Sequence, residues 1–298
     1  MPEPATQPTA RPHDEVPLLQ HALEAPSVFT PGQVLEAVRA TRQLPATPVP
    51  LVCVLEFDGD LTDALLAKGE LRRFEPWPCF HTTLWVWGNG AESCGIVCRT
   101  IGGPYAVLVA EQLAVCGARV IVGLASAGRV APALPMPSVV VASHAIRDEG
   151  TSFHYLPPGA TVDGNPELAR ALEAEVTRAQ LPVRCGLVWT TDAPYRETAE
   201  QLAHHAANGA LAVEMQAASL FAFGVRRGIA VGLVAHVTNA PDHDGPPFDK
   251  GTDDTDERML AAICQAGHSF LAGGTWCFPA ASGSSTAGRD ADVIRDSL

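Results

Sequence analysis

Short, wholly apolar segments separated by longer stretches of helical period constrain this chain more than any other feature. LVCVLEF (51–57), TLWVWG (83–88), GIVCRTI (95–101), RVIVGLA (119–125), SVVVASHAI (138–146), RCGLVWT (184–190) and GIAVGLVAHVT (228–238) are rich in β-branched residues and read as strands. Several lack the alternation of a half-exposed strand, which implies a sheet covered by helices on both faces. Between them GGPYAVLVAEQLAVCGA, NPELARALEAEVTRAQ, RETAEQLAHHAANG, EMQAASLFAFGVRRG and TDERMLAAICQAGHSFLAG carry helical spacing. Three of these run into glycine, the residue best suited to ending a helix. The pattern predicts an α/β domain around a mixed central sheet.

Composition narrows the function. The 298 residues are 47% hydrophobic, ample for a sizeable core. Acids outnumber bases 33 to 20, and a net charge of −13 argues against a nucleic-acid or anionic-membrane partner. Eight scattered cysteines form no zinc-ligand set, and neither a secretory leader nor an apolar run of membrane-spanning length is read. The expectation is a reduced, cytoplasmic, soluble protein that needs no metal and no cofactor. Residues 1–26 and 280–298 are small, polar or proline-rich and are expected to be loose ends flanking one domain over 27–279.

In such a sheet, ligands gather at the turns that follow the strand carboxyl ends. Those turns hold EFDGDLTD (56–63), RTIGGPY (99–105), LASAGRV (124–130), TTDAPYRET (190–198), VEMQAA (213–218) and HVTNAPDHD (236–244). The IGGP glycines either form a tight strand-to-helix turn or face an anion at the helix start. His144, His154 and His236 can each be read as an acid–base group or as a hydrogen-bonded structural residue. The run TDDTDE (252–257) precedes an apolar periodic segment and reads as a helix cap with favourable charge. Glu214, in an otherwise apolar stretch, must be paired or used, since an unpaired buried charge costs several kcal/mol.

In order along the chain, CRTIGGPYAVLVAEQLAVCGAR, GLASAGRVAPALPMPSVVVASHAIRDEGTSFHYLP, VWTTDAPYRET and AVEMQAASLFAFG resemble the nucleoside phosphorylase family, which includes purine and uridine phosphorylases and related nucleosidases. The resemblance implies a three-layer α/β/α sandwich with a mixed, barrel-like sheet, assembled as dimers or hexamers. It implies cleavage of the N-glycosidic bond of a nucleoside. Glu214, Met215 and Gln216 stand where the family grips ribose, Gln216 replacing an acid; Glu214 can equally cap its helix. Ser126, Ala127 and Gly128 match the phosphate-and-ribose strand.

Pro194, Tyr195 and Arg196 match the base loop. Asn239 stands where purine-cleaving members carry a proton-donating acid, with Asp242 a few residues on. The arginines that hold phosphate are not matched: Glu56, Asp60, Gly123 and Phe80 fall at the places of phosphate ligands. Two acids there repel a phosphate dianion, by about 1 kcal/mol each at about 4 Å in water and more in a drier site. Hydrolysis is therefore favoured, with Asp60 steadying a cationic sugar or taking water's proton. The alternatives are that Glu56 and Asp60 merely start a helix, that other arginines such as Arg99 and Arg129 hold inorganic phosphate, or that the fold serves a different reaction or binding alone.

Overall fold

The computed structural model describes residues 16–20, 22–240 and 253–274. Ten strands form one sheet: β1 (Val52–Glu56), β2 (Leu71–Arg73), β3 (Trp85–Trp87), β4 (Cys94–Cys98), β5 (Val120–Arg129), β6 (Ser138–Asp148), β7 (Thr161–Asp163), β8 (Val183–Thr191), β9 (Ala210–Glu214) and β10 (Ala230–Asn239). The helices are α1 (Pro31–Arg42), α2 (Asp60–Ala67), α3 (Gly103–Val115), α4 (Pro166–Arg178), α5 (Ala199–Ala207), α6 (Ala217–Arg227) and α7 (Asp253–Ala272).

The strand order is β10-β6-β8-β9-β5-β1-β4-β3-β2, and β10 also pairs with β5. Strands β5, β10, β6, β8 and β9 therefore close into a five-stranded barrel, with β1 to β4 extending from β5 as an open wing. Pairing is mixed: β10 runs parallel to β5 and antiparallel to β6, while β9 runs parallel to β8 and antiparallel to β5. This is the mixed, barrel-like α/β architecture expected from the sequence.

Both faces of the sheet are covered, as the apolar strands require. Cys53, Leu55, Ile121, Leu233 and Ala235 pack with α3 and α6 on one face. Val52, Val54, Val120, Val122 and Val234 pack with α2, α4 and α7 on the other. Each such Val or Leu contributes about 1.5–3 kcal/mol by leaving water.

Three local results differ from the periodicity. The strand read over 95–101 stops at Cys98, where Arg99 turns the chain with a φ of 60°. The helical period read from Glu214 onward starts later: residues 210–214 form β9, and the helix begins at Ala217. The segment ALAVE is too short for its own period to decide between helix and strand, and its pairing with β8 and β5 decides it. The third is α1, where Thr30 and Gln33 make a reciprocal capping box.

The IGGP turn owes its second glycine to packing. A Cβ on Gly103 would lie 2.1 Å from Oγ of Ser219 and 2.9 Å from its Cβ, so only hydrogen lets α3 approach α6 this closely. Gly103→Ala is expected to lower stability by about 1–3 kcal/mol, the range for overpacking, as a urea-unfolding midpoint would report.

Candidate active site

The barrel brings the motif-bearing ends of four strands and one loop to a common place. Gly128 of β5 pairs with Val213 of β9 and with Asn239 of β10. Continuing the β5–β9 register places Ser126 and Ala127 opposite Met215 and Glu214. Thr190 at the end of β8 pairs with Glu214. From the other side, Phe57 donates its N–H to Leu124 at 3.1 Å, which sets the loop after β1 alongside Ser126. Ser126, Ala127, Gly128, Glu214, Met215, Gln216, Asn239 and the first loop, more than 170 residues apart at the extremes, thus share one rim.

Glu214 is buried, and both of its oxygens are engaged. Oε2 accepts from the N–H groups of Gln216 (2.6 Å) and Ala217 (2.8 Å), at the start of α6. Oε1 accepts from the Thr190 hydroxyl at 2.5 Å, and Thr190 Oγ in turn accepts from the N–H of Ala218. Burial pushes the carboxyl up to about 7, against the opposing pull of Thr190 and the two N–H groups. Glu214 therefore holds the turn into α6 rigid, with its Gln216 neighbour also buried and its side-chain oxygen on the Met215 N–H at 3.2 Å. Met215 is half-buried at the rim. Deeper still, Glu149 accepts from Ser219 Oγ (2.6 Å) and the Ser152 N–H (2.9 Å).

The first loop is acidic and pinned. Glu56 is buried, accepts from the Gly59 N–H and from the Thr62 hydroxyl, and is raised above the usual carboxylate range by burial. Asp58, which the motif comparison passes over, accepts the Ser126 N–H on Oδ2 at 3.2 Å. Asp60 is exposed in the first turn of α2, where negative charge favours the helix. Arg99 spends its charge on Asp63, its guanidinium lying over Gly59.

Gly123, which the sequence resemblance sets at the place of a phosphate-binding arginine, has no room for a side chain. A Cβ there would meet Cζ of Phe57 at 2.8 Å and Cδ1 of Leu233 at 3.2 Å. Phe80 is exposed, with the Arg42 guanidinium 4.6 Å from its ring centre.

The base-loop residues Pro194, Tyr195 and Arg196 form a single 3-10 turn after β8, and Tyr195 is fully exposed. Arg196 borders a cavity of about 360 Å³ together with Asp148, Glu149, Asp192 and Glu197. Burial raises both Asp192 and Glu197 above the ordinary carboxylate range. Asp242 and Asp244 lie outside the described residues. Among the described residues no group of three His, Cys, Asp or Glu side chains is placed to hold a metal ion, and no helix is long and apolar enough to cross a membrane.

The profile of the Phosphorylase superfamily matches residues 50–272, which takes in every rim element just described. The chain belongs to this superfamily. Its similarity to individual members is modest. It is 30% identical to a guanosine phosphorylase of Halorubrum lacusprofundi over 146 residues, 47% of this chain and 59% of that protein. Uridine phosphorylases of Haemophilus influenzae and Escherichia coli are 23% and 26% identical, over 59% and 48% of this chain and 76% and 62% of theirs. The chain thus spans less than two thirds of the length of the guanosine phosphorylase and of the Escherichia coli relative. Sequence reasoning singled out Ser126, Glu214 and Asn239 from motif order; it missed Asp58 and Thr190. An acid beside a glycine in the same loop, and a hydroxyl ending the strand before the base loop, were the available signals.

Proposed function

We propose that this superfamily member cleaves the N-glycosidic bond of a nucleoside and passes the sugar to water in preference to phosphate. The sugar lies over Met215 and Gln216 at the start of α6, and the base lies toward Asn239 and the Pro194–Arg196 turn. The observation that carries the acceptor is the seat beside Ser126. Its N–H, a donor an oxyanion would need, is already held by the Asp58 carboxylate, and the side-chain space at residue 123 is filled by Phe57. A phosphate dianion arriving there meets Asp58 and Asp60 and no unpaired guanidinium from Arg99. The same carboxylates favour the positive charge that develops on the sugar as the C1′–N bond breaks.

Phosphorolysis is the second reading, favoured by the names of the guanosine and uridine phosphorylases to which the chain is similar. A homo-oligomer belongs to the proposal as well; exposed Phe29 and Phe80 are apolar surface of the kind subunits cover. The test is to incubate purine and pyrimidine nucleosides with the protein in phosphate-free and phosphate-containing buffers. The expected products are free base and free pentose at a rate that phosphate does not raise. A strict requirement for phosphate, with pentose 1-phosphate as product, refutes water as the acceptor.

A further inference from the structure

The face of the sheet that carries α2, α4 and α7 is apolar along its length and turns polar in one row at the strand ends. Ser126 of β5 and His236 of β10 are register partners in that row. Paired residues of parallel strands project to the same face at a separation of about 4.8 Å. His236 is only 4% exposed, whereas Ser126 is half-open to the rim. Nδ1 of His236 lies 3.0 Å from Oδ1 of Asp256 in the first turn of α7. A carboxylate on Nδ1 keeps the proton on that nitrogen and presents Nε2 as an acceptor. On the far side of Ser126 stands Asp58, holding its N–H at 3.2 Å. Buried ion pairs are often no more stabilising than apolar residues of similar volume. Nothing in the packing of β10 against β5 calls for them.

We propose that His236, oriented by Asp256, is the base that takes the proton of the acceptor seated at Ser126. The inference rests on the glycosidic reading above. In the step, the oxygen of water bonds to C1′ and the C1′–N bond breaks, its electron pair leaving with the base. The water proton passes to Nε2 of His236, and the departing base is protonated from solvent, which restores the proton count. Asp256 does not touch the reacting atoms and is a positioning residue.

The test measures kcat and KM for nucleoside in phosphate-free buffer, with circular dichroism and a thermal midpoint for each variant. His236→Gln is expected to lower kcat by about 100-fold or more, the scale of a lost general base, with KM within about threefold of the parent and a native spectrum. Asp256→Asn is expected to lower kcat about 10-fold at unchanged KM, and Asp256→Glu to recover part of that loss. A purely structural pair would move the thermal midpoint and KM and spare kcat. If His236→Gln fails to fold, Asp256→Asn decides alone, because Asp256 is partly exposed. Parent-level kcat in a folded variant overturns the base and leaves glycosidic cleavage standing. Absence of cleavage by the parent protein in either buffer removes both. Cleavage that requires phosphate also overturns the base, since a dianion brings no proton that must be taken.

Discussion

Replacing Glu214 by alanine is expected to destabilise the fold by about 3–5 kcal/mol, more than any other single truncation at the rim. The carboxylate satisfies two N–H groups at the mouth of α6 and one hydroxyl. Each buried group left without a partner costs about 1–3 kcal/mol. Glu214→Gln should behave differently. Its oxygen can stay on the two N–H groups while its amide donates to Thr190, whose hydroxyl is already an acceptor for Ala218.

The two variants separate further with pH. In the native protein the Glu214 carboxyl is raised to about 7, above its value in the unfolded chain. The folded state therefore binds the proton more tightly, and this contribution is complete below the unfolded value. It is lost as pH rises through about 7, with on the order of 3 kcal/mol at stake. Glu56, Asp192 and Glu197 are raised by burial as well and act in the same direction. The thermal midpoint is thus expected to fall between about pH 5 and about pH 8, and to fall less in Glu214→Gln. A midpoint that rises over that range would show that Glu214 is ionised throughout.

The second large effect concerns Gly123. Giving this position the arginine expected from the sequence resemblance, Gly123→Arg, should abolish folding or cost at least about 4 kcal/mol, and should not create an anion site. The Cβ alone meets Phe57 at 2.8 Å and Leu233 at 3.2 Å, a clash worth about 1–3 kcal/mol. The guanidinium would then enter the apolar surroundings of Phe57, Leu233 and Ala125, which offer it no hydrogen bond from their side chains and add several kcal/mol. Gly123→Ala isolates the first part of the cost. Phe57→Ala combined with Gly123→Arg opens the space and should recover soluble protein. Urea unfolding of the set, with phosphate titrated against the double variant, checks both statements. A well-folded single variant that binds phosphate would mean the Phe57 ring yields its place.

Glycine at 123 and phenylalanine at 57 therefore go together, since the ring occupies the space that a side chain at 123 would need. The chain belongs to the Phosphorylase superfamily, and the space beside Gly123 is part of its core. On the polar side, Asp58 holds the Ser126 N–H. Neither residue is conspicuous in the linear order; each matters because of what lies across the sheet.

How much was legible beforehand can be judged from particular elements. The apolar runs at 119–125, 138–146, 184–190 and 228–238 are strands, as their short length and apolar, β-branched composition, a local property of the chain, indicate. Thr198 and Gln201 cap α5, and Asn165 with Pro166 opens α4, each within one turn of sequence. Ser126, Glu214 and Asn239 could be named as candidate site residues because their motifs occur in order, and the fold brings them to one rim.

The remainder depended on contacts distant in sequence. ALAVE became a strand through its neighbours on β8 and β5. His236 acquired Asp256 from a helix that is 20 residues away in the chain, and Gly103 was required by Ser219. By itself the sequence determined the α/β class, the element spacing and the family, because burial period and capping chemistry act over a few residues. Only the tertiary structure decided which acid meets Ser126, which side chain fills the arginine's space and which carboxylate steadies His236, because closure of the barrel sets those distances.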